Sequence, residues 1–154
     1  MQLRYGSREH RYDASILRGT VTQAVLIADD DDLFCGSVSI NLRDAGYKTF
    51  LAHDGHSAIT LARAERPHLI LLDVVMPGLN GFAALNAMRA EPLLNRTPVI
   101  MLTARRQPDD VLRARGLGVV DYVAKPIDMP KLLQRVRKAL SQAPAAERPL
   151  EWLD

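Results

Sequence analysis

Four short apolar runs in this chain each stop at a residue able to do chemistry. Residues 25–28 lead into Asp29-Asp30, 69–72 into Asp73, 99–102 into Thr103, and Tyr122-Val123-Ala124 into Lys125-Pro126. Runs of this length and composition read as β-strands, and the stretches between them carry apolar residues at helical spacing. Strands that alternate with helices build a parallel sheet covered on both faces, because each right-handed crossover lays its helix across the sheet. In such a sheet the carboxyl ends of the strands share one edge, and the working site lies beyond that edge. The order acid pair, acid, hydroxyl, amine is therefore expected to converge on a single site.

The periodicity resolves five such units. A strand at 24–28 precedes a helix in which Phe34, Val38, Leu42 and Ala45 recur at helical spacing before Gly46. Strands at 47–52, 68–72 and 98–102 are followed by helices near 55–66, 82–90 and 108–115, and 119–124 supplies the fifth strand. Asp128 is placed to cap a last helix whose stripe is Met129, Leu132, Leu133, Val136 and Leu140. Its opposite face carries Lys131, Arg135, Arg137 and Lys138, read as a solvated face rather than a docking surface. Residues 1–23 mix arginine, glycine, serine and threonine without period and read as a loosely held arm; residues 142–154 read as a flexible tail in which Trp152 is a candidate anchor. The folded domain is then 24–141.

Composition narrows the function classes. With 154 residues, 47% hydrophobic and 25% charged, the chain matches one globular unit with a sizeable core. A formal charge of +2, with basic residues spread along the chain, gives no argument for nucleic acid. One cysteine, Cys35, excludes an internal disulfide. No apolar run is long enough to cross a bilayer and the first residues do not resemble a signal peptide, so a cytoplasmic protein is expected.

Three carboxylates at one sheet edge repel one another unless a cation lies among them. Hard oxygen donors without cysteine or histidine suit Mg²⁺ and not zinc. Asp30 and Asp73, with Asp29 assisting through water, would hold the ion. Thr103 and Lys125 would then meet the oxygens of a phosphoryl group, leaving Asp73 as the nucleophile that becomes an aspartyl phosphate. Asp32 is left at the cap position of the first helix. A register shifted by one residue along Asp29-Asp30-Asp31-Asp32 stays open.

With Asp29-Asp30, with Asp73 inside Leu-Leu-Asp-Val-Val-Met-Pro-Gly-Leu-Asn-Gly81, with Thr103-Ala104 and with Lys125-Pro126 in this order, residues 24–141 resemble the receiver domain of two-component response regulators. The resemblance implies a flavodoxin-like (βα)5 fold, a doubly wound five-stranded parallel sheet of order 2-1-3-4-5. It implies that Asp73 accepts a phosphoryl group from a phosphohistidine on a histidine kinase or phosphotransfer protein. Asp29, Asp30, Asp73 and the backbone carbonyl of Val75 would hold Mg²⁺, with Mn²⁺ as a substitute. Thr103 and Tyr122 would form the conformational switch, and Val75 and Arg105 would tune the lifetime of the phosphoryl group. The chain would then be a signalling switch and not an enzyme, apart from its own phosphorylation and dephosphorylation.

Its output would be a downstream effector protein, a phosphoryl relay or a homodimer, since 142–154 is too short for a helix-turn-helix domain. A haloacid-dehalogenase-like phosphatase is the alternative reading. It would place a proton-transferring aspartate two residues after the nucleophile, where this chain has Val75. Cys35, His53, His56 and His68 read as structural or exposed, Met76-Pro77-Gly78 as a turn, and Lys125-Pro126 as a candidate cis bond.

Overall fold

The computed structural model describes residues 22–104 and 107–142. Five strands, β1 (Ala24–Ala28), β2 (Lys48–Ala52), β3 (Leu69–Leu72), β4 (Val99–Thr103) and β5 (Asp121–Ala124), form one parallel sheet in the order β2-β1-β3-β4-β5. Five helices alternate with them: α1 (Asp32–Asp44), α2 (Gly55–Glu65), α3 (Gly81–Arg89), α4 (Pro108–Gly116) and α5 (Met129–Ser141). The doubly wound α/β architecture and strand order are those expected. The readings of an arm at 1–23 and a tail at 142–154 fall, apart from Thr22, Gln23 and Gln142, outside the described residues, as does Arg105.

The sheet divides two cores by the alternation of its side chains. Val25, Ile27, Leu69, Leu71, Ile100 and Leu102 pack with Cys35, Val38 and Leu42 of α1 and with Leu132 and Val136 of α5. Leu26, Ile70, Leu72 and Met101 face the other way, against Ile59 of α2, Phe82, Leu85 and Met88 of α3 and Ala114 of α4. Every residue of β1, β3 and β4 is buried, whereas the edge strands β2 and β5 are partly exposed. The three central strands read as continuous apolar runs for this reason.

Four helices start on a capping side chain. Asp31, Asp54, Asn80 and Asp128 accept from the N–H groups of Phe34, Ser57, Ala83 and Lys131 in α1, α2, α3 and α5. Asp31 therefore caps α1, which corrects the assignment of that role to Asp32. The reason is geometric: a cap needs extended backbone and a carboxylate three residues ahead of a free N–H. Asp31 has φ −86° and ψ 104° and meets Phe34 N at 3.1 Å, while Asp32 is already the first helical residue.

The fifth strand begins at Asp121 and not at 119, because the N–H of Val119 turns back to the Ala114 carbonyl, completing the exit of α4 through Gly118 at φ +73°. Likewise Tyr47 bonds to the Leu42 carbonyl and belongs to the exit of α1 rather than to β2. The Lys125-Pro126 bond is cis.

Two glycines let the segment after β3 lie close to its neighbours. A Cβ on Gly81 would stand 2.0 Å from the Asp73 carbonyl oxygen, and one on Gly55 would stand 2.2 Å from that of Leu79. Both obstacles are backbone, which cannot swing aside as a side chain can. Gly81→Ala should therefore lower unfolding stability by roughly 1–3 kcal/mol. Gly36→Ala, inside α1 with open space around it, should raise stability by roughly 0.5–1 kcal/mol through helix propensity alone. Urea denaturation of the two variants checks the contrast; equal midpoints would remove the close-approach argument.

Candidate functional site

β1 and β3 are neighbours in the sheet although β2 lies between them in sequence, so the chain reverses its winding direction there and opens a crevice at their carboxyl ends. Ala28 stands opposite Leu72, which puts the next residues, Asp29 and Asp73, side by side. Both carboxylates are buried, with 2% and 6% of their residue surface exposed, whereas Asp30 is exposed beside them. Carboxylate oxygens of Asp29, Asp30 and Asp73 lie within 4.8 Å of one another.

Lys125 enters this site from the end of β5. Its Nζ donates to Asp29 Oδ2 at 2.5 Å and to Asp73 Oδ2 at 3.2 Å, and it lies 4.3 Å from the centre of the Phe34 ring. The remaining oxygens of the buried pair have backbone donors: Asp31 N–H reaches Asp29 Oδ1 at 2.9 Å and Val75 N–H reaches Asp73 Oδ1 at 3.2 Å. Burial, followed by the charge of Asp29, holds the Asp73 carboxyl above its ordinary value, with Lys125 and the Val75 N–H pulling the other way. Burial works against the Lys125 ammonium, but the bond to Asp29 and the charges of both carboxylates outweigh it and raise its pKa.

Thr103 closes β4 at the same edge and is buried, its carbonyl accepting from the N–H of Lys125 at 3.0 Å. Val75 is exposed at 58% just past Asp73. Tyr122 lies within β5, half-buried against the core shared with α3 and α4. Thus Asp29, Asp30, Asp73, Thr103 and Lys125 gather at one edge, Val75 borders it, and Tyr122 lies inside its strand.

Three further residues brace the site. The Asp29 carbonyl accepts from Cys35 Sγ at 3.2 Å and is met by His53 Nδ1 at 3.1 Å, while the Asp29 N–H bonds to the Ala52 carbonyl. Phe34 lends its ring face to Lys125. Cys35 is a buried thiol, pushed up to about 12 by burial and then by Asp29, Asp32 and Asp31, so it is inert at neutral pH. His68 serves the opposite edge, accepting from the Ala24 N–H at 3.0 Å, and His56 is exposed. His53 carried the same signal as the assigned residues, a polar side chain directly after a strand. Phe34 and Cys35 carried none, because a helical stripe looks alike whether it covers core or site.

The donor set fits a divalent cation. Three carboxylates against one ammonium leave a formal charge of −2, and every donor is a hard oxygen with one carboxylate open to water.

Comparison with known proteins agrees with this geometry. The family described as response regulator receiver domain matches residues 25–137. The DNA-binding response regulator MtrA of Mycolicibacterium smegmatis is 38% identical over 121 residues, 79% of this chain and 52% of that protein. Protein PilH of Pseudomonas aeruginosa is 33% identical over 117 residues, 76% of this chain and 97% of PilH. The chain therefore spans about half the length of MtrA and nearly all of PilH. Among solved structures, the chemotaxis protein CheY4 of Vibrio cholerae superposes with a TM-score of 0.74 at 31% identity, over 77% of this chain and 99% of CheY4. A putative response regulator from Chloroflexus aurantiacus gives 0.74 at 31%, over 79% and 100%.

The raised pKa of Asp73 has a consequence for stability. A carboxyl harder to ionise in the fold than in the open chain holds its proton more tightly when folded. Its contribution is full below the ordinary value of 3.8 and is lost as pH rises through the raised value. Asp73→Asn should therefore raise the thermal midpoint at pH 7 in chelator-treated buffer, and the gain should vanish as the pH falls below 4. A pH series of melting curves measures it, and a gain that persists undiminished in acid would contradict the cause assigned.

Proposed function

The chain belongs to the response regulator receiver domain family, and from that membership we propose that it is a phosphorylation switch with Asp73 as phosphoacceptor. The observation that carries this reading is the lysine-bridged pair of buried carboxylates at the β1–β3 crevice, with a buried threonine hydroxyl at the neighbouring strand end. Receiver domains bind Mg²⁺ at an acidic pocket, and the cluster here has that composition. Asp29, Asp30, Asp73 and the Val75 carbonyl would hold the ion, which supplies positive charge to phosphoryl oxygens. Asp31 is engaged as the cap of α1, which favours the Asp29-Asp30 register over one shifted by a residue.

Asp73 would attack phosphorus in line with the phosphohistidine of a histidine kinase or phosphotransfer protein. The new P–O bond forms as the P–N bond breaks, and the donor imidazole leaves with the electron pair. Lys125 pairs with one phosphoryl oxygen and the Thr103 hydroxyl donates to another. Movement of Thr103 toward the phosphoryl group leaves space that Tyr122 fills, which biases the α4, β5 and α5 surface between two arrangements read by a partner protein. A hydrolase reading lacks its acid: Val75 has no proton to transfer.

Acetyl phosphate tests the acceptor directly. With Mg²⁺, the intact mass should rise by a single phosphoryl group, Asp73→Asn should show none, and Asp30→Ala should lose both metal binding and labelling. Labelling of Asp73→Asn equal to wild type would refute the assignment.

Signal lifetime follows from the residues two positions beyond Asp73 and Thr103. Val75 offers nothing to orient an attacking water, and Arg105 carries a charge suited to a phosphoryl oxygen. The paired substitutions Val75→Asn and Arg105→Glu should shorten the lifetime of the phosphoryl group after donor removal in Mg²⁺. Unchanged or slower loss would exclude shielding by these two residues.

A further inference from the structure

Each strand of the sheet delivers a polar residue to the carboxyl edge, and the phosphoryl chemistry uses those of β1, β3, β4 and β5. The remaining one is His53, directly after β2. Its ring spans the acidic turn. Nδ1 lies 3.1 Å from the Asp29 carbonyl, and Nε2 lies 3.2 Å from Asp32 Oδ1. A carbonyl only accepts, so Nδ1 is the donor in the first contact. With the proton on Nδ1 a neutral ring has none on Nε2 to give Asp32, so the bond to the Asp29 carbonyl is the contact that holds the turn carrying Asp30.

The inner side of the turn is already secured. Cys35 Sγ donates to the same Asp29 carbonyl from within the core, and the Asp29 N–H is tied to the Ala52 carbonyl at 3.0 Å, one residue before His53. The solvent side has His53. Asp30 is exposed, and its position depends on the backbone on either side of it.

We propose that His53 is a positioning residue for divalent-cation binding, bracing the turn at the Asp29 carbonyl so that the Asp30 carboxylate is ordered before the ion arrives. The inference rests on the metal-site reading above and concerns one side chain that reading does not use. Preorganisation of this kind acts on affinity: the ion no longer has to order the turn.

Two variants at fixed pH separate positioning from bulk structure. His53→Ala removes the bond to the Asp29 carbonyl. His53→Asn keeps an N–H donor close to the place of Nδ1 and so keeps the bond to the Asp29 carbonyl. Mg²⁺ is titrated without phosphodonor and followed by backbone amide shifts. The Mg²⁺ dependence of labelling by acetyl phosphate and the thermal midpoint are then measured on the same proteins.

His53→Ala should weaken Mg²⁺ binding about fivefold, the weight of one modest hydrogen bond. His53→Asn should recover most of the affinity. Unchanged affinity in His53→Ala, or His53→Asn as weak as the alanine variant, would overturn the role of His53 alone. Wild-type protein whose amide signals do not respond to Mg²⁺ would overturn the metal site itself, and the positioning role with it.

Discussion

Two carboxylates, Asp29 and Asp73, are buried side by side, and the arrangement of the carboxyl edge depends on making that tolerable. Neither can be left without partners in a low-dielectric crevice, since an uncompensated buried charge costs several kcal/mol. Lys125 meets both, and the backbone N–H groups of Asp31 and Val75 take the other oxygen of each. A lysine is needed for reach as well as charge. In the order β2-β1-β3-β4-β5, the end of β5 is two strands from β3 and three from β1, about 10 to 15 Å across the sheet. A four-carbon arm and two aspartate side chains close that gap. Asp73 still bears a residual penalty, visible in its raised pKa. A buried carboxylate under such a penalty gains from any added positive charge placed beside it.

The sequence revealed most of this arrangement because parallel sheets write their buried strands as plain apolar runs. β1, β3 and β4 are buried at every position, so hydrophobicity located them to within a residue. The edges were harder to bound. At β5 the valines at 119 and 120 have strand composition, yet the first completes the exit of α4, and only hydrogen bonding distinguishes the two. Four consecutive aspartates made the cap of α1 ambiguous in the same way: every one has the right chemistry, and φ and ψ chose Asp31. Gly81 was visible as part of a motif, but its reason, a backbone carbonyl where a Cβ would sit, is a fact of three dimensions.

The two helices flanking β5 are held very differently. α5 buries Leu132, Val136 and Ala139 and has the Asp128 cap. α4 buries only Asp110 and Ala114, and Gln107 at its start makes no side-chain cap bond, though Pro108 presets its first turn. Its carboxyl end is fastened by side chains from α3. The Arg89 guanidinium donates to the Leu117 carbonyl at 2.8 Å and, from the same side chain, to the carbonyls of Leu94 and Thr97. Arg113 lies over the Phe82 ring at 4.6 Å.

Arg89 is a cation satisfied by carbonyl oxygens, and burial lowers its pKa. Removing one of its acceptors leaves part of a desolvated charge unserved, so the α3–β4 segment and the exit of α4 are held together. Local stability follows buried apolar contact and satisfied hydrogen bonds. By that measure the exit of α4 at Leu117 is a well-secured point of the described fold. Arg89 thus ties three separate carbonyls, at the end of α4 and along the approach to β4, to one side chain.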